Sequence, residues 1–134
     1  MRLLVVGILS SLVLISAFSL QCNASAKQSV SVEASPYLME RVKNDEWLLI
    51  DVRSVEEYND GHIPGAVNMP HDQIESYLNE LEGWQDKPVI VYCRSGRRAQ
   101  LAMKVLEEMK FQSIRSLEGD MLGWNESGLP VSRM

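Results

Sequence analysis

Short, fully apolar segments alternate with helical patterns along this chain. Residues 47–50 and 89–92 are each four apolar residues in a row, a pattern typical of strands that are buried on both faces of a sheet. A third strand is predicted over residues 113–117. Because helical segments separate the strands, we predict an α/β doubly wound fold, a mostly parallel sheet with helices on both faces.

The intervening segments carry helix signals. Ser35 and Pro36 have the residue types preferred at an N-cap and at the first helical position, so a helix is predicted from there to about residue 44. The other predicted elements are a short helix at 56–58, a short strand at 66–69, an amphipathic helix beginning at 72, a long helix over 101–109 and a short helix over 119–124.

Cys93 follows the second apolar strand directly and begins a polar turn. Ligands of doubly wound folds bind beyond the carboxyl ends of the strands, which makes Cys93 a candidate site residue. The next helix begins with unpaired N–H groups that favour an anion, and Arg94, Arg97 and Arg98 add positive charge. Gly96 permits the tight curvature that points successive N–H groups inward. Each effect favours the Cys93 thiolate over the thiol.

Besides an inert buried cysteine, this turn leaves two kinds of chemistry open, attack on phosphorus and attack on sulfur. Phosphatases and arsenate reductases of this general type place an arginine after five intervening residues, a position that Ala99 occupies here. The arginines fall one and two positions short of it, so the turn is tighter and suits a smaller group, such as one sulfur atom. A thiol oxidoreductase is disfavoured because removal of an N-terminal signal peptide that contains Cys22 would leave Cys93 without a resolving cysteine.

Two further segments, together with the Cys93 turn, resemble the rhodanese family. Residues 51–66 read Asp-Val-Arg-Ser-Val-Glu-Glu-Tyr-Asn-Asp-Gly-His-Ile-Pro-Gly-Ala and are similar to the N-terminal signature of the family. Residues 119–124, Gly-Asp-Met-Leu-Gly-Trp, followed by Gly-Leu-Pro-Val at 128–131, are similar to its C-terminal signature. The turn itself has the form Cys-Arg-x-Gly-x-Arg, so the resemblance runs from about residue 35 to 131.

The resemblance implies a thiosulfate sulfurtransferase. The Cys93 thiolate would attack the outer sulfur of a small anionic donor, preferably thiosulfate rather than 3-mercaptopyruvate, and carry the sulfur as a persulfide until cyanide or a thiol accepts it. Backbone N–H groups would hold the negative charge of the persulfide. The binding loop implied is Arg94, Ser95, Gly96, Arg97 and Arg98. No cofactor or metal is needed, and the alternative within the family is a non-catalytic binding module.

Asp51 and Arg53 follow the first apolar strand, which we expect to lie beside the Cys93 strand. A carboxylate and a guanidinium there are predicted to brace the loop by charge-assisted hydrogen bonds, without touching the substrate. His62, in Gly-His-Ile-Pro-Gly, is expected to fix a turn rather than to act as a base. No cluster of metal ligands is visible in the sequence.

The N-terminus is predicted to be a secretory signal peptide. Arg2 precedes an apolar run over residues 3–20, and the small residues Ala24 and Ala26 occupy the two positions that signal peptidase reads. Cleavage after Ala26 would leave residues 27–134 as one periplasmic or secreted domain without stable membrane association. The alternative is an uncleaved anchor, because about 18 apolar residues can span a bilayer.

The charge balance is acidic. The chain has a net charge of −5, and loss of Arg2 would leave 12 basic residues against 18 acidic ones, a net charge of −6. This balance argues against nucleic acid as a partner. Three arginines in one turn of an acidic protein are expected to steer anions to Cys93.

Overall fold

Five strands form one sheet in the computed structural model, which describes residues 30–134. The strands follow the order β1-β5-β4-β2-β3, and every pair of neighbours is parallel. In chain order the elements are β1 (Ser31–Val32), α1 (Pro36–Lys43), β2 (Leu48–Asp51), α2 (Val55–Asp60), β3 (Val67–Asn68), a 3₁₀ turn (Ile74–Tyr77), α3 (Leu78–Leu81), β4 (Val89–Tyr92), α4 (Arg97–Glu108), β5 (Ile114–Leu117) and α5 (Asp120–Glu126).

The predicted α/β fold with helices on both faces is confirmed. All four residues of β2 and all four of β4 are buried, as expected for central parallel strands. Successive side chains of these strands enter two separate cores. One core contains Cys93 and packs α4 against the sheet, and the other contains Tyr92 and packs α1 and α5 against the opposite face.

The register brings the carboxyl ends of the two central strands together. Asp51, the last residue of β2, pairs with Tyr92, the last residue of β4. The segment that follows β2 and the turn that begins at Cys93 therefore leave the sheet side by side, at the edge where doubly wound folds bind ligands.

The helix-start signal at Ser35 and Pro36 operates as predicted. The Ser35 hydroxyl accepts a hydrogen bond from the Leu38 N–H, with Pro36 in the first turn of α1. Ser54 and Glu57 form a capping box at the start of α2, in which each side chain accepts from the backbone N–H of the other residue.

The prediction of a single amphipathic helix that begins at residue 72 is wrong. Instead, a 3₁₀ turn over Ile74–Tyr77 passes into the one-turn helix α3. Apolar residues three positions apart share a face in both helix types, so the apolar pattern does not separate them. The edge strand β1 was not predicted, because two residues are too few for a periodicity.

The predicted signal peptide lies outside the described residues. Within residues 30–134, no helix is long and apolar enough to cross a bilayer.

Candidate active site

Cys93 stands at the end of β4 with 1% of its surface exposed. The Gly96 N–H donates a hydrogen bond to its Sγ at 3.0 Å. Gly96 has φ 116°, in the region that favours glycine, and α4 begins at the next residue. One N–H group of the turn, that of Gly96, therefore points at the sulfur.

The start of α5 holds the turn from the other side. The Met121 N–H donates to the Cys93 carbonyl at 3.0 Å, and the Leu122 N–H donates to the Arg94 carbonyl at 3.2 Å. In return, the Cys93 N–H donates to Oδ1 of Asp120 at 2.9 Å. The backbone around Cys93 is thus held by three hydrogen bonds to one short helix.

Asp120 is a site residue that sequence reasoning missed. It lies 27 positions from Cys93, and no local pattern indicates their contact. Burial raises the pKa of the Asp120 carboxyl, and hydrogen bonds from the Cys93 backbone and side chain act in the opposite direction.

The three arginines of the turn have different surroundings. Arg94 and Arg97 are exposed. Arg98 forms a bidentate ion pair with Glu57, with Nη–Oε distances of 2.6 and 2.9 Å. The Arg98 hydrogen bond lowers the pKa of Glu57 to about 2. Arg98 therefore links α4 to α2, and Arg94 and Arg97 remain as the exposed cations of the turn.

Asp51 and Arg53 form a buried pair at the end of β2. Nη2 of Arg53 lies 2.6 Å from Oδ2 of Asp51, and the Arg53 backbone N–H donates to Oδ1. The same Nη2 also donates to the Gly61 carbonyl at 2.7 Å. These bonds link β2 to the end of α2, not to the Cys93 loop, so the predicted direct bracing of the loop by this pair is wrong. Glu57 and Asp120 contact the loop instead.

A groove of about 300 Å³ opens beside Arg94. Besides Arg94, its lining includes the buried Arg53 and the exposed Arg133, and apolar side chains of α5 such as Met121. Two carboxylates, Glu57 and Asp60, also line it. Within residues 30–134, no group of three or more histidine, cysteine, aspartate or glutamate residues could hold a metal ion.

The rhodanese-like domain model of known protein families matches residues 35–127. The chain belongs to the rhodanese family. It is 33% identical over 84 residues to a sulfurtransferase of Allochromatium vinosum, covering 63% of this chain and 77% of the relative. It is 34% identical over 103 residues to the putative sulfur carrier protein YrkF of Bacillus subtilis, covering 76% of this chain but only about half of the relative, 53%.

A solved structure shares this fold. The crystal structure of a rhodanese-related protein from Thermoplasma volcanium aligns with a TM-score of 0.65 at 30% identity, covering 78% of this chain and 99% of that one.

In this rhodanese domain, the two signature segments lie on either side of the Cys93 loop. The N-terminal signature supplies Glu57, which binds Arg98. The C-terminal signature supplies Asp120, which binds the Cys93 backbone. His62 stacks on Tyr58 with ring centroids 3.7 Å apart, and its Nδ1 lies 2.7 Å from the Tyr58 carbonyl oxygen, which agrees with the predicted role in a turn.

Proposed function

We propose that this rhodanese domain is a sulfurtransferase in which Cys93 carries the sulfur as a persulfide. The observation that carries the proposal is the 3.0 Å hydrogen bond from the Gly96 N–H to the Cys93 Sγ, at the N-terminus of a 12-residue helix. The name of the Allochromatium vinosum relative supports the general activity. An N–H group aimed at the sulfur stabilises the negative charge of the Cys93 thiolate.

In the first half-reaction, the Cys93 thiolate attacks the outer sulfur of thiosulfate. A new S–S bond forms on Cys93 while the S–S bond of thiosulfate breaks, and the electron pair leaves with sulfite. The product is an enzyme persulfide whose charge lies on the outer sulfur. The Gly96 N–H already points into the turn, so little rearrangement is needed to hold that charge.

In the second half-reaction, a thiophilic acceptor attacks the outer sulfur. The persulfide S–S bond breaks, its electron pair returns to Cys93, and the sulfur leaves on cyanide or on a thiol. The enzyme alternates between two covalent states, so the kinetics are expected to be ping-pong.

The charges at the surface favour a small anionic donor. Arg94 and Arg97 are exposed, and Arg94 lines the same groove as Arg133. Thiosulfate carries two negative charges in a small volume, and we therefore propose it over 3-mercaptopyruvate.

Ala99 argues against phosphatase chemistry. This is the position at which the corresponding phosphatases have their arginine, and Ala99 is 1% exposed within the core that contains Cys93. The side chain at this position is therefore buried in the core and offers no cation to a phosphate.

Steady-state kinetics with thiosulfate and cyanide test the proposal. We expect parallel double-reciprocal lines, and a loss on the order of 10³-fold or more in kcat for Cys93→Ser. A lower kcat/KM is expected for 3-mercaptopyruvate, and no turnover for an aryl phosphate. Activity that survives in Cys93→Ser would refute the proposal. A folded wild-type protein with no turnover of any donor would favour the binding module.

A further inference from the structure

Asp120 is a buried carboxylate without a cationic partner. It is 8% exposed, and none of the ion pairs within residues 30–134 includes it. Its Oδ1 accepts the Cys93 N–H. Buried carboxylates are normally paired with a cation, because burial disfavours the charged form. An amide or a hydroxyl could accept the same N–H without the cost of burying a charge. The hydrogen bond alone therefore does not explain why a carboxylate stands at position 120.

The backbone at Asp120 adds to the cost. Asp120 has φ 52°, in the left-handed region, which glycine adopts without strain. A non-glycine residue held there, next to a nucleophile, is the kind of local strain that clusters at functional sites.

The carboxylate reaches both ends of the catalytic turn. Oδ1 lies 2.9 Å from the backbone nitrogen of Cys93, and Oδ2 lies 3.2 Å from the point where a Cβ on Gly96 would stand. Gly96 is also the residue whose N–H binds the sulfur. The carboxylate of Asp120 therefore lies against the backbone at both ends of the turn that holds the sulfur.

We propose that Asp120 is a positioning residue for Cys93. Its carboxylate fixes the turn by accepting the Cys93 N–H, and its negative charge opposes ionisation of the Cys93 thiol. The hydrogen bond orders the nucleophile, and the charge sets the pH at which it becomes reactive. The proposal rests on the proposed function only in taking Cys93 as the nucleophile.

Other charged groups surround the turn, and the test must separate them from Asp120. Arg98 interacts electrostatically with Cys93 and is paired with Glu57, and the charges of Asp51 and Arg53 are paired with each other. The remaining charged side chains of the turn are the exposed Arg94 and Arg97. Asp120→Asn leaves all of these unchanged and removes one charge.

The pH dependence of Cys93 alkylation by iodoacetamide tests the charge. Asp120→Asn keeps an oxygen that can accept the Cys93 N–H, so the turn is retained. We expect the pH of half-maximal reactivity to fall by about one unit, because a nearby like charge disfavours the charged form of the thiol. Glu118→Gln is the matched control, because Glu118 is an exposed acid two residues away, and its profile should match that of the wild type. Identical profiles for Asp120→Asn and the wild type would overturn the proposal.

Asp120→Gly tests the hydrogen bond and serves as the second variant if Asp120→Asn folds poorly. Glycine fits the left-handed backbone and removes both charge and acceptor. We expect the pH of half-maximal alkylation to fall by the same amount as in Asp120→Asn. The kcat for sulfur transfer should be on the order of ten-fold below that of Asp120→Asn, at unchanged KM. Equal kcat values for the two variants would refute the positioning role. If no donor is turned over at all, the proposed function fails while the alkylation profiles still decide the effect of the charge.

Discussion

At the scale of single residues, the site depends on backbone direction more than on side-chain chemistry. The Cys93 sulfur receives its hydrogen bond from a backbone N–H, and that N–H points inward because Gly96 has φ 116°. A side chain at this position would be strained and would also stand 3.2 Å from Oδ2 of Asp120.

Gly96→Ala is therefore expected to lower the free energy of unfolding by about 1–2 kcal/mol and to slow persulfide formation more than that loss explains. Urea denaturation and stopped-flow loading with thiosulfate measure the two effects. Gly83→Ala is the matched control, because Gly83 has φ 86° and nothing within 4 Å of its added Cβ. It should lose similar stability and keep full activity. Equal activities for the two variants would contradict the role assigned to the Gly96 N–H.

At the scale of elements, the loop is held between α2 and α5. Arg98 at the start of α4 binds Glu57 of α2, and the Cys93 and Arg94 backbone binds the first residues of α5. Each contact joins segments that are distant in the chain, so the geometry of the loop depends on the correct docking of both helices on the sheet.

The Glu57–Arg98 pair predicts a pH-dependent part of the stability. The pKa of Glu57 falls from its ordinary value of 4.5 to about 2 in the folded protein. Because the folded pKa is depressed, the stabilisation is complete above about pH 4.5 and is lost as the pH falls towards 2. Both side chains are about one-third exposed, so we expect a contribution of only about 0.5–1 kcal/mol.

Glu57→Gln isolates this contribution, because glutamine retains the capping-box acceptor for the Ser54 N–H. The difference in unfolding free energy between wild type and Glu57→Gln should be largest at pH 6 and should shrink towards pH 3 in urea denaturation experiments. Glu56→Gln, at the exposed neighbouring position, should show no such trend. A constant difference for Glu57→Gln across this range would contradict the ion pair as the cause.

The same elements show what the sequence could predict. The strands β2 and β4, the cap at Ser35 and the turn with Gly96 after Cys93 depend on neighbouring residues, and short-range patterns predict them. The contacts of Glu57 and Asp120 with the loop join residues 41 and 27 positions apart. Such contacts depend on strand order and helix docking, which residue spacing does not encode. For this reason Asp51 and Arg53 were expected at the loop, where Glu57 and Asp120 are found.

At the scale of the whole molecule, an acidic protein presents a small basic site. The net charge is −5, yet Arg94 and Arg97 are exposed in the turn that begins at Cys93. We propose further that a signal peptide ending at Ala26 is removed and that the domain works in the periplasm or outside the cell. Cys93 would then be the one cysteine of residues 27–134, so it could form no internal disulfide.

The local positive charge predicts salt-dependent capture of thiosulfate. Raising the ionic strength from about 0.01 M to about 0.15 M shortens the Debye length from about 30 Å to about 8 Å. We expect kcat/KM for thiosulfate to fall over this range, and the fall to be smaller in an Arg94→Gln, Arg97→Gln variant. A flat dependence in the wild type would contradict electrostatic steering by these arginines.

The most direct test of the central claim is the intact mass of the protein comprising residues 27–134, measured before thiosulfate, after thiosulfate and again after cyanide. We predict a gain of one sulfur atom, its loss on cyanide addition, and no gain in Cys93→Ser. An unchanged mass after thiosulfate, with Cys93 reduced and open to alkylation, would contradict a thiosulfate-loaded persulfide at this residue.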